Sequence, residues 1–186
     1  MESAISVFAE TGFAGGTTSA IATRAGVSEA QLYYHFASKR DLLGAVLAER
    51  DRIADEAAGP MPLDPADVPK ALVRIAEANA TMPDVVGLYM IMFAEAATAT
   101  HPGHENYRDR YRRLRLRFLE AFTLMEENGM LADRVDAVYA ASSTLAVWDG
   151  LQLQWLLEPE AVDVVAHLKT HLDTITVIAP PRQVER

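Results

Sequence analysis

Three side chains that can hydrogen-bond to bases or phosphates stand at alternate positions in one short segment: Gln31, Tyr33 and His35. An amide, a phenol and an imidazole supply donors and acceptors without a cofactor. The segment begins at Ser28, and Gln31 three residues later completes the S-x-x-Q pattern of a helix capping box. A short capped helix with outward polar side chains favours contact with a polar surface such as a DNA groove.

Two short helices are needed to hold these side chains in place. Ile21 and Ala25 give the preceding segment an apolar face, and Leu32 and Phe36 give one to the second segment. Gly26 lies between them, where a turn needs a positive φ. The stretch 17–39 therefore predicts a helix-turn-helix, whose second helix can enter the major groove. The alternative is a helical hairpin that binds no DNA.

The charge of the chain is compatible with DNA binding but does not predict it. The formal net charge is −9. Residues 1–50 hold four basic and five acidic side chains, which gives −1 and leaves −8 for the remainder. Within 18–40 three basic side chains, Arg24, Lys39 and Arg40, stand against Glu29 alone. The acidity is thus concentrated outside the candidate DNA-binding segment.

A second basic region lies at 108–117, where six of ten residues are arginine. It can be interpreted as another nucleic-acid patch or as a solvated helix face that pairs with the acidic body. The aromatic stripe of Tyr107, Tyr111 and Phe118 leaves the arginines on the other faces of a helix. This arrangement favours the solvated face.

Several other chemistries find no support in the residues. The chain has no cysteine, which excludes disulfides, a thiolate nucleophile and Cys-ligated zinc. It contains no G-x-S-x-G elbow, P-loop, H-E-x-x-H or dinucleotide fingerprint, and we expect neither an enzyme nor a cofactor. His167 and His171 are spaced i, i+4, but no carboxylate motif completes a metal site with them or with His101 and His104. A helical adaptor protein would explain the acidic surface but not the outward Gln31, Tyr33 and His35.

The chain shows no sign of membrane association or export. It has no run of about 18 uncharged apolar residues, and residues 1–13 lack the basic start of a signal peptide. We expect a cytoplasmic protein that makes no membrane contact.

Helical periodicity continues along the chain and predicts an all-α protein of about nine helices. Strand signals are scarce, and the β-branched run at 175–178 lies inside a helical pattern. Glycine and proline at 59–62, 102–103 and 180–181 are expected to end helices. Apart from the helix-turn-helix, the expected helices cover 1–11, about 39 to 59, 64–82 after an Asp64-Pro65 start, the stretch after Pro83, 105–128, 133–157 and 159–177.

With these residues in view, the N-terminal segment resembles the TetR family of bacterial transcriptional repressors. The resemblance covers residues 8–43, in order and at the family's spacing. Asp149-Gly150-Leu151-Gln152-Leu153-Gln154 is also similar to an eighth-helix phrase of one large subgroup. The matching N-terminal segments are Phe8-Ala9-Glu10-x-Gly12-Phe13, Thr17-Thr18-x-x-x-Ile21-Ala22, Ala25-Gly26-Val27-Ser28, Leu32-Tyr33-Tyr34-His35-Phe36-x-Ser38-Lys39 and Leu42-Leu43.

The resemblance implies a ligand-responsive repressor that binds a palindromic operator as a homodimer. Residues 1–46 would form a three-helix helix-turn-helix DNA-binding domain, and 47–186 a helical ligand-binding and dimerisation domain. The fourth helix, from about residue 39, would bridge the two. A small apolar or amphipathic effector would shift this helix and change the separation of the two recognition helices, which must match the half-site spacing.

The resemblance also implies which residues meet DNA. Thr17 and Thr18 would cap the second helix and donate to phosphate, and Lys39 would contact phosphate at the start of the fourth helix. Glu29-Ala30 departs from the basic or small residue of many relatives, and Glu29 would repel phosphate unless it accepts from a cytosine N4. The basic residues that relatives usually carry before the first helix do not occur in this sequence, which starts inside that helix, and a basic arm upstream is left open. The implied DNA-binding residues are Thr17, Thr18, Ser28, Gln31, Tyr33, Tyr34, His35 and Lys39.

Two further sets of residues are candidates in the C-terminal part. Large apolar or polar side chains near the middle of helices are candidates for effector binding: Asn79, Tyr89, Met92, Phe93, Phe118, Trp148 and Gln152. The two amides are the most telling members, because a buried amide needs partners that a ligand can supply. The last two helices would form the dimer face, through Leu145, Leu153, Leu156, Val164, Val165, Leu168 and Leu172. Internal packing is the alternative for both sets.

Overall fold

The computed structural model describes residues 1–59, 64–101 and 104–177. Within these ranges the chain forms nine α-helices and no strand, which confirms the all-α prediction. No helix there has the length and hydropathy that a membrane crossing requires. The helices are α1 Glu2–Gly15, α2 Thr18–Ala25, α3 Glu29–His35, α4 Lys39–Ala58, α5 Val68–Ala80, α6 Pro83–Ala96, α7 His104–Glu127, α8 Ala137–Leu157 and α9 Val164–Ile175.

Helix α1 contains a kink that the sequence prediction interpreted as its end. Gly12 has φ 68° and ψ 175°, a backbone conformation essentially restricted to glycine. The helix resumes after it and continues to Gly15. The prediction that the first helix stops at Thr11 is therefore wrong, because Gly12 bends the helix without ending it.

Helices α2 and α3 follow the predicted local signals closely. The Thr17 side chain accepts from the Ala20 amide at 3.1 Å and caps α2, and Thr18 is the first residue of that helix. Gly26 ends α2 in the left-handed conformation, with φ 69° and ψ 26°. The Ser28 capping box then starts α3. The helix-turn-helix is confirmed as two capped helices joined by a glycine turn.

The described residues fall into two compact units. The first unit comprises Met1–Glu56 and Ala78–Tyr107, and the second comprises Ala57–Glu77 and the described residues from Arg108 onward. Each unit has its own apolar core, and the removal of these side chains from water stabilises the unit. Fully buried side chains of the first unit include Phe8, Ile21, Leu42, Leu88 and Met92. Those of the second include Phe122, Met125, Ala140, Leu168 and Leu172.

Helix α8 begins later than the sequence suggested. It starts at Ala137 and is capped by Asp136, whose carboxylate accepts from the Tyr139 amide at 2.7 Å. Asp133, the predicted cap, lies in the preceding turn, in which Arg134 has a φ of 67°.

Helix α9 differs from its prediction at both ends. It is capped by Asp163 and starts at Val164, although we expected a start near Pro159. It ends at Ile175, because Thr176 leaves the helix and forms an isolated bridge with Leu131. Within the β-branched run, Ile175 is therefore helical and Thr176 is extended. Helix ends predicted at Pro60, Pro62, 102–103 and 180–181 lie outside the described residues.

Candidate functional site

Helix α3 exposes most of the polar side chains that the sequence predicted to contact DNA. Tyr33 is 48% exposed and Tyr34 is 86% exposed, while Gln31 and His35 are also exposed. Leu32 is buried and fixes the opposite face of the helix. The ring of Tyr34 meets that of His35 edge to face, with centroids 5.2 Å apart. The structure therefore brings these four polar side chains together on a seven-residue helix.

Gln31 has a structural role in addition to its exposed position. Its Oε1 accepts from the Ser28 amide at 2.9 Å and lies 3.1 Å from the Ser28 hydroxyl. The Ser28 hydroxyl oxygen accepts from the Gln31 amide at 3.1 Å. The carboxamide oxygen is thus used by the cap, and the amide nitrogen is the end of Gln31 that can donate to DNA.

A hydroxyl network joins α2 to α3 that sequence reasoning did not find. Thr18 donates to Glu29 Oε1 at 2.8 Å, and its oxygen lies 3.2 Å from the Tyr33 hydroxyl. Because Thr18 has one hydroxyl proton, which goes to Glu29, the Tyr33 hydroxyl must donate to Thr18. Thr18 therefore orients both Glu29 and Tyr33. In this conformation its proton is not directed toward a phosphate.

Arg24, one of the few cations of the helix-turn-helix, is used within the protein. Its guanidinium donates to both carboxylate oxygens of Glu10, at 2.7 and 2.9 Å, and also to Ser6. These hydrogen bonds hold the pKa of the Glu10 carboxyl below its usual value. The bidentate pair links α2 to α1. The Glu10 carboxylate also neutralises a positive charge that would otherwise be available for contact with DNA phosphates.

Lys39 is also engaged inside the first unit. Its Nζ donates to the carbonyl oxygens of Phe13 at 2.7 Å and Gly16 at 2.8 Å, and lies 4.5 Å from the Phe13 ring centroid. The next residue, Arg40, is exposed. The resemblance assigned the phosphate contact to Lys39 and not to Arg40. The sequence does not distinguish these two adjacent cations, whereas the structure shows that Lys39 is half-buried and Arg40 is exposed.

The predicted effector-binding residues belong to two groups. Asn79, Tyr89, Met92 and Phe93 lie in the first unit, and Phe118, Trp148 and Gln152 lie in the second. In the first unit the Tyr89 and Phe93 ring centroids are 4.5 Å apart, and Phe93 meets Tyr107 at 5.8 Å. In the second, the Phe118 and Trp148 centroids are 5.9 Å apart.

Both amides of this set are buried. Asn79 and Gln152 expose 3% and 2% of their surfaces. The Asn79 Oδ1 has no hydrogen-bond partner among the described residues, and a buried acceptor without a donor is costly. Asn79 is therefore a buried amide that lacks a partner for its oxygen within the described residues, and its role in effector binding stays a prediction.

Arg50 was not predicted from the sequence but lies beside the aromatic cluster of the first unit. Its guanidinium carbon is 4.1 Å from the Tyr89 ring centroid, and only 11% of its side chain is exposed. A charged side chain is seldom buried this far without a reason. The signal available in the sequence was weak, since Arg50 is one of several charged residues in the second half of α4.

The predicted dimer residues differ in their accessibility within one chain. Leu145, Val164, Leu168 and Leu172 are buried by packing inside the second unit. Leu156 and Val165 are half-buried, and Leu153 is 50% exposed. Helix α8 also exposes apolar residues that were not selected: Val138, Tyr139 and Leu157.

The other candidate clusters show ordinary structural roles. His171 Nε2 lies 3.2 Å from the hydroxyl of buried Thr144, and His167 is exposed. Within the described ranges no three acidic or histidine side chains converge as a metal site would require. On α7, Arg112 pairs with Asp109 at 3.2 Å on an exposed face.

Comparison with known families gives two matches, one for each end of the chain. Residues 1–46 match the family model of bacterial regulatory proteins of the tetR family. Residues 83–177 match the C-terminal model of BetI-type transcriptional repressors, which is slightly more than half of the chain. A comparison with curated protein sequences finds no match.

Solved structures share the fold over nearly the whole length. A transcriptional regulator from Saccharomonospora viridis in complex with choline is 25% identical, with a TM-score of 0.69 and 95% of each chain covered. The SmeT–triclosan complex is 21% identical, with a TM-score of 0.76, and covers 100% of this chain and 95% of that one. A transcriptional regulator from Rhodococcus is 21% identical, with a TM-score of 0.70 and 96% of each chain covered.

The sequence matches at both ends agree with the geometry of the capped, exposed α3 behind its glycine turn. On these grounds, the chain belongs to the TetR family of transcriptional regulators, with an N-terminal DNA-binding helix-turn-helix.

Proposed function

We propose that this regulator is a repressor that binds a palindromic operator as a homodimer and is released by a small apolar or amphipathic effector. The observation that carries the proposal is the exposure of four polar side chains, Gln31, Tyr33, Tyr34 and His35, on the capped helix α3. In this proposal residues 1–46 form the DNA-binding domain and 47–186 the ligand-binding and dimerisation domain.

The proposed DNA contacts divide into two classes. Gln31, Tyr33, Tyr34 and His35 contact bases or the adjacent backbone in the major groove, and Thr17, Thr18 and Ser28 lie at helix starts near the phosphates. Because the Lys39 ammonium is bound to two carbonyl oxygens, we assign it to positioning α1 and α2. Exposed Arg40 then supplies the phosphate contact that the resemblance assigned to Lys39.

The effector is supported by two structural relatives. One was solved with choline and another with triclosan, so proteins of this fold accommodate small molecules. The predicted effector-binding residues of this chain, Asn79, Tyr89, Met92, Phe93, Phe118, Trp148 and Gln152, stay candidates. Effector binding releases DNA only if the effector binds the non-DNA-binding conformation more tightly.

The homodimer is supported by the exposed apolar surface of α8. Val138, Tyr139, Leu153 and Leu157 lie on this helix with more than half, or about half, of their surfaces exposed. Exposed apolar side chains grouped on one element are typical of an interface. Two copies related by a two-fold axis would present two α3 helices to half-sites about 34–36 Å apart.

The proposal can be tested with duplex DNA from the region upstream of the gene that encodes this chain. We expect sequence-selective binding that weakens as salt rises, and loss of that binding in Tyr33→Ala with the dimer retained. Lys70→Ala, which changes an exposed residue of α5 outside the proposed contacts, serves as a control that should keep both the dimer and the DNA binding. Equal binding to random DNA, or loss of the dimer in Tyr33→Ala, contradicts the assignment.

A further inference from the structure

The carboxylate of Glu29 is held on the surface formed by helices α2 and α3. Its Oε1 accepts a hydrogen bond from the Thr18 hydroxyl at 2.8 Å, and the Tyr33 hydroxyl lies 3.2 Å from the same Thr18 oxygen. Glu29 and Tyr33 are spaced i, i+4 on α3, so they are neighbours on one face of that helix, and both are exposed. The carboxylate therefore shares the exposed face of α3 with the side chains proposed to contact DNA.

The second carboxylate oxygen of Glu29 is available to a donor from outside the chain. Within the ranges that the structure describes, Oε1 alone accepts a hydrogen bond, and no basic side chain pairs with this carboxylate. The flanking cations in the sequence are used elsewhere, since Arg24 is bound to Glu10 and Lys39 to backbone carbonyl oxygens. The negative charge of Glu29 is thus not neutralised within the protein.

A carboxylate on a helix that enters the major groove distinguishes sharply between the groups it meets. Phosphates repel it, and so do the O6 and N7 acceptors of guanine and the O4 acceptor of thymine. The base donors in this groove are the N4 amino group of cytosine and the N6 amino group of adenine, and adenine places an acceptor, N7, beside its donor. Cytosine therefore has the base edge that matches Glu29.

We propose that Glu29 is a specificity residue that accepts a hydrogen bond from the N4 amino group of one cytosine in each operator half-site, and that Thr18 positions it. The inference rests on the proposed repressor, whose α3 contacts bases, and it names the base that Glu29 selects. Where this cytosine is absent, nothing compensates the repulsion between Glu29 and the phosphates. Glu29 accordingly lowers the affinity for DNA in general and raises the selectivity for one base pair.

The hydrogen bond from Thr18 fixes the direction of the Glu29 carboxylate. A glutamate side chain has several rotatable bonds, and ordering them before DNA arrives reduces the entropy lost on binding. Thr18 directs its single proton to Glu29 and receives one from Tyr33, so the carboxylate is the last acceptor in a chain of two hydrogen bonds. Loss of the Thr18 hydroxyl should therefore reduce the base selectivity of Glu29.

Selection from a pool of random DNA duplexes, followed by sequencing, tests the assignment with the full chain. The parent should select a cytosine at one position of each half-site, and replacement of that base pair in both half-sites should weaken binding at least about tenfold. In Glu29→Gln the preference at this position should change to adenine, because a carboxamide pairs with adenine N6 and N7. In Glu29→Ala it should disappear, while preferences at the other positions stay.

The affinity for a random duplex gives a second readout, of opposite sign. Glu29→Gln and Glu29→Ala should bind random DNA about threefold more tightly than the parent or better, because the carboxylates of the dimer no longer repel phosphates. Glu77→Gln is the matched control, since it removes the same charge from an exposed glutamate of α5. It should change neither the base preferences nor the affinity for random DNA.

Two substitutions of Thr18 separate positioning from a merely structural role. Thr18→Val removes the hydroxyl at nearly constant shape, and the ratio of affinities for the cytosine site and its thymine form should fall at least about threefold. Thr18→Ser keeps the hydroxyl and should keep the ratio. A structural role would lower both affinities together, and an unchanged ratio in Thr18→Val would overturn the positioning assignment.

Two results would overturn the base assignment of Glu29. One is an unchanged set of base preferences in Glu29→Gln and Glu29→Ala, and the other is a base other than cytosine at the position that these variants alter. If the parent itself selects no sequence, the proposed repressor fails together with this inference. A selective parent whose preferences do not depend on Glu29 contradicts the inference alone.

Discussion

The ammonium of Lys39 donates to the carbonyl oxygen of Phe13, twenty-six residues earlier in the chain, at 2.7 Å. It also donates to the Gly16 carbonyl at 2.8 Å and lies over the Phe13 ring. Helix α4 thereby begins with a cation that closes the turn between α1 and α2. Together with the Arg24–Glu10 pair, this contact uses two of the three positive charges between Thr18 and Arg40 for structure.

Lys39→Met should destabilise the protein by about 2 kcal/mol, because two carbonyl oxygens lose a charged donor. Urea unfolding followed by circular dichroism measures this change. Arg40→Met is the matched neighbour and should change the free energy of unfolding little, since Arg40 is exposed. Equal effects of the two substitutions would mean that the Lys39 contacts contribute nothing to stability.

Arg40→Gln should weaken operator binding and reduce the salt dependence of that binding. Each phosphate contact contributes about −0.9 to the slope of log K against log salt, so the slope should lose about 1 per half-site. Arg24→Gln should leave the slope unchanged, because Glu10 already holds that guanidinium. DNA titrations at several salt concentrations distinguish the two variants. A changed slope in Arg24→Gln would contradict the assignment of the Arg24 guanidinium to the ion pair with Glu10.

Gly12→Ala should destabilise the protein by about 1–3 kcal/mol. The φ of 68° with ψ of 175° is strained for any residue with a Cβ, and the new methyl group would lie 2.7 Å from Glu95 Oε1. Gly44→Ala is the contrasting change, because the methyl group it adds to helix α4 would meet no atom within 4 Å apart from the helix's own neighbouring backbone. It should stabilise by about 0.5–1 kcal/mol. Thermal unfolding of both variants measures the difference, and similar midpoints would contradict it.

Acidification should lower stability through His171. Burial lowers the pKa of this imidazole below its usual value, so the unfolded chain binds the proton at a higher pH than the folded chain does. The stability loss should begin as the pH falls through about 6.5, the ordinary value, and should end below the lowered pKa. His171→Gln, which keeps a polar group near Thr144, should show a smaller decrease between pH 7 and 5, whereas exposed His167 replaced by Gln should behave as the parent.

Substitutions of two leucines distinguish residues of the proposed dimer interface from residues that pack inside the second unit. Leu153→Arg should dissociate the proposed dimer without unfolding the chain, since this side chain is half exposed on α8. Leu168→Arg should instead unfold the second unit, because Leu168 is completely buried. Sedimentation and circular dichroism report the two outcomes. An intact dimer in Leu153→Arg places the interface elsewhere.

Local signals explain why much of the fold could be predicted. The Gly26 turn and the Ser28–Gln31 capping box depend on residues within a few positions of one another, so their spacing alone is informative. The start of α8 was missed because Asp133 and Asp136 are both suitable caps by type. Only the conformation of the turn between them selects Asp136.

The candidate site was predictable in its residue types but not in its contacts. Tyr33 and His35 were recognised because the apolar face of the short helix is formed by Leu32 and Phe36, four residues apart, which leaves the residues between them to face outward. The Thr18 hydrogen bond to Glu29 spans eleven positions, and the Lys39 contact with Phe13 spans twenty-six. The helical periodicity of the sequence carries no information about contacts between residues so far apart in the chain. Burial of Arg50 against Tyr89 likewise depends on the packing of α6 beside α4.

The capping box of α3 links the stability of this helix to the base preference of Gln31, two properties that usually depend on different residues. The Gln31 carboxamide oxygen is engaged by the amide and hydroxyl of Ser28, so the side chain offers DNA only donors. If Gln31 contacts a base as proposed, the paired donor and acceptor that adenine requires is unavailable, while guanine acceptors match. A substitution that altered the preferred base at this position would also remove the cap of a seven-residue helix. New operator preferences at position 31 can therefore evolve only in a protein with stability to spare.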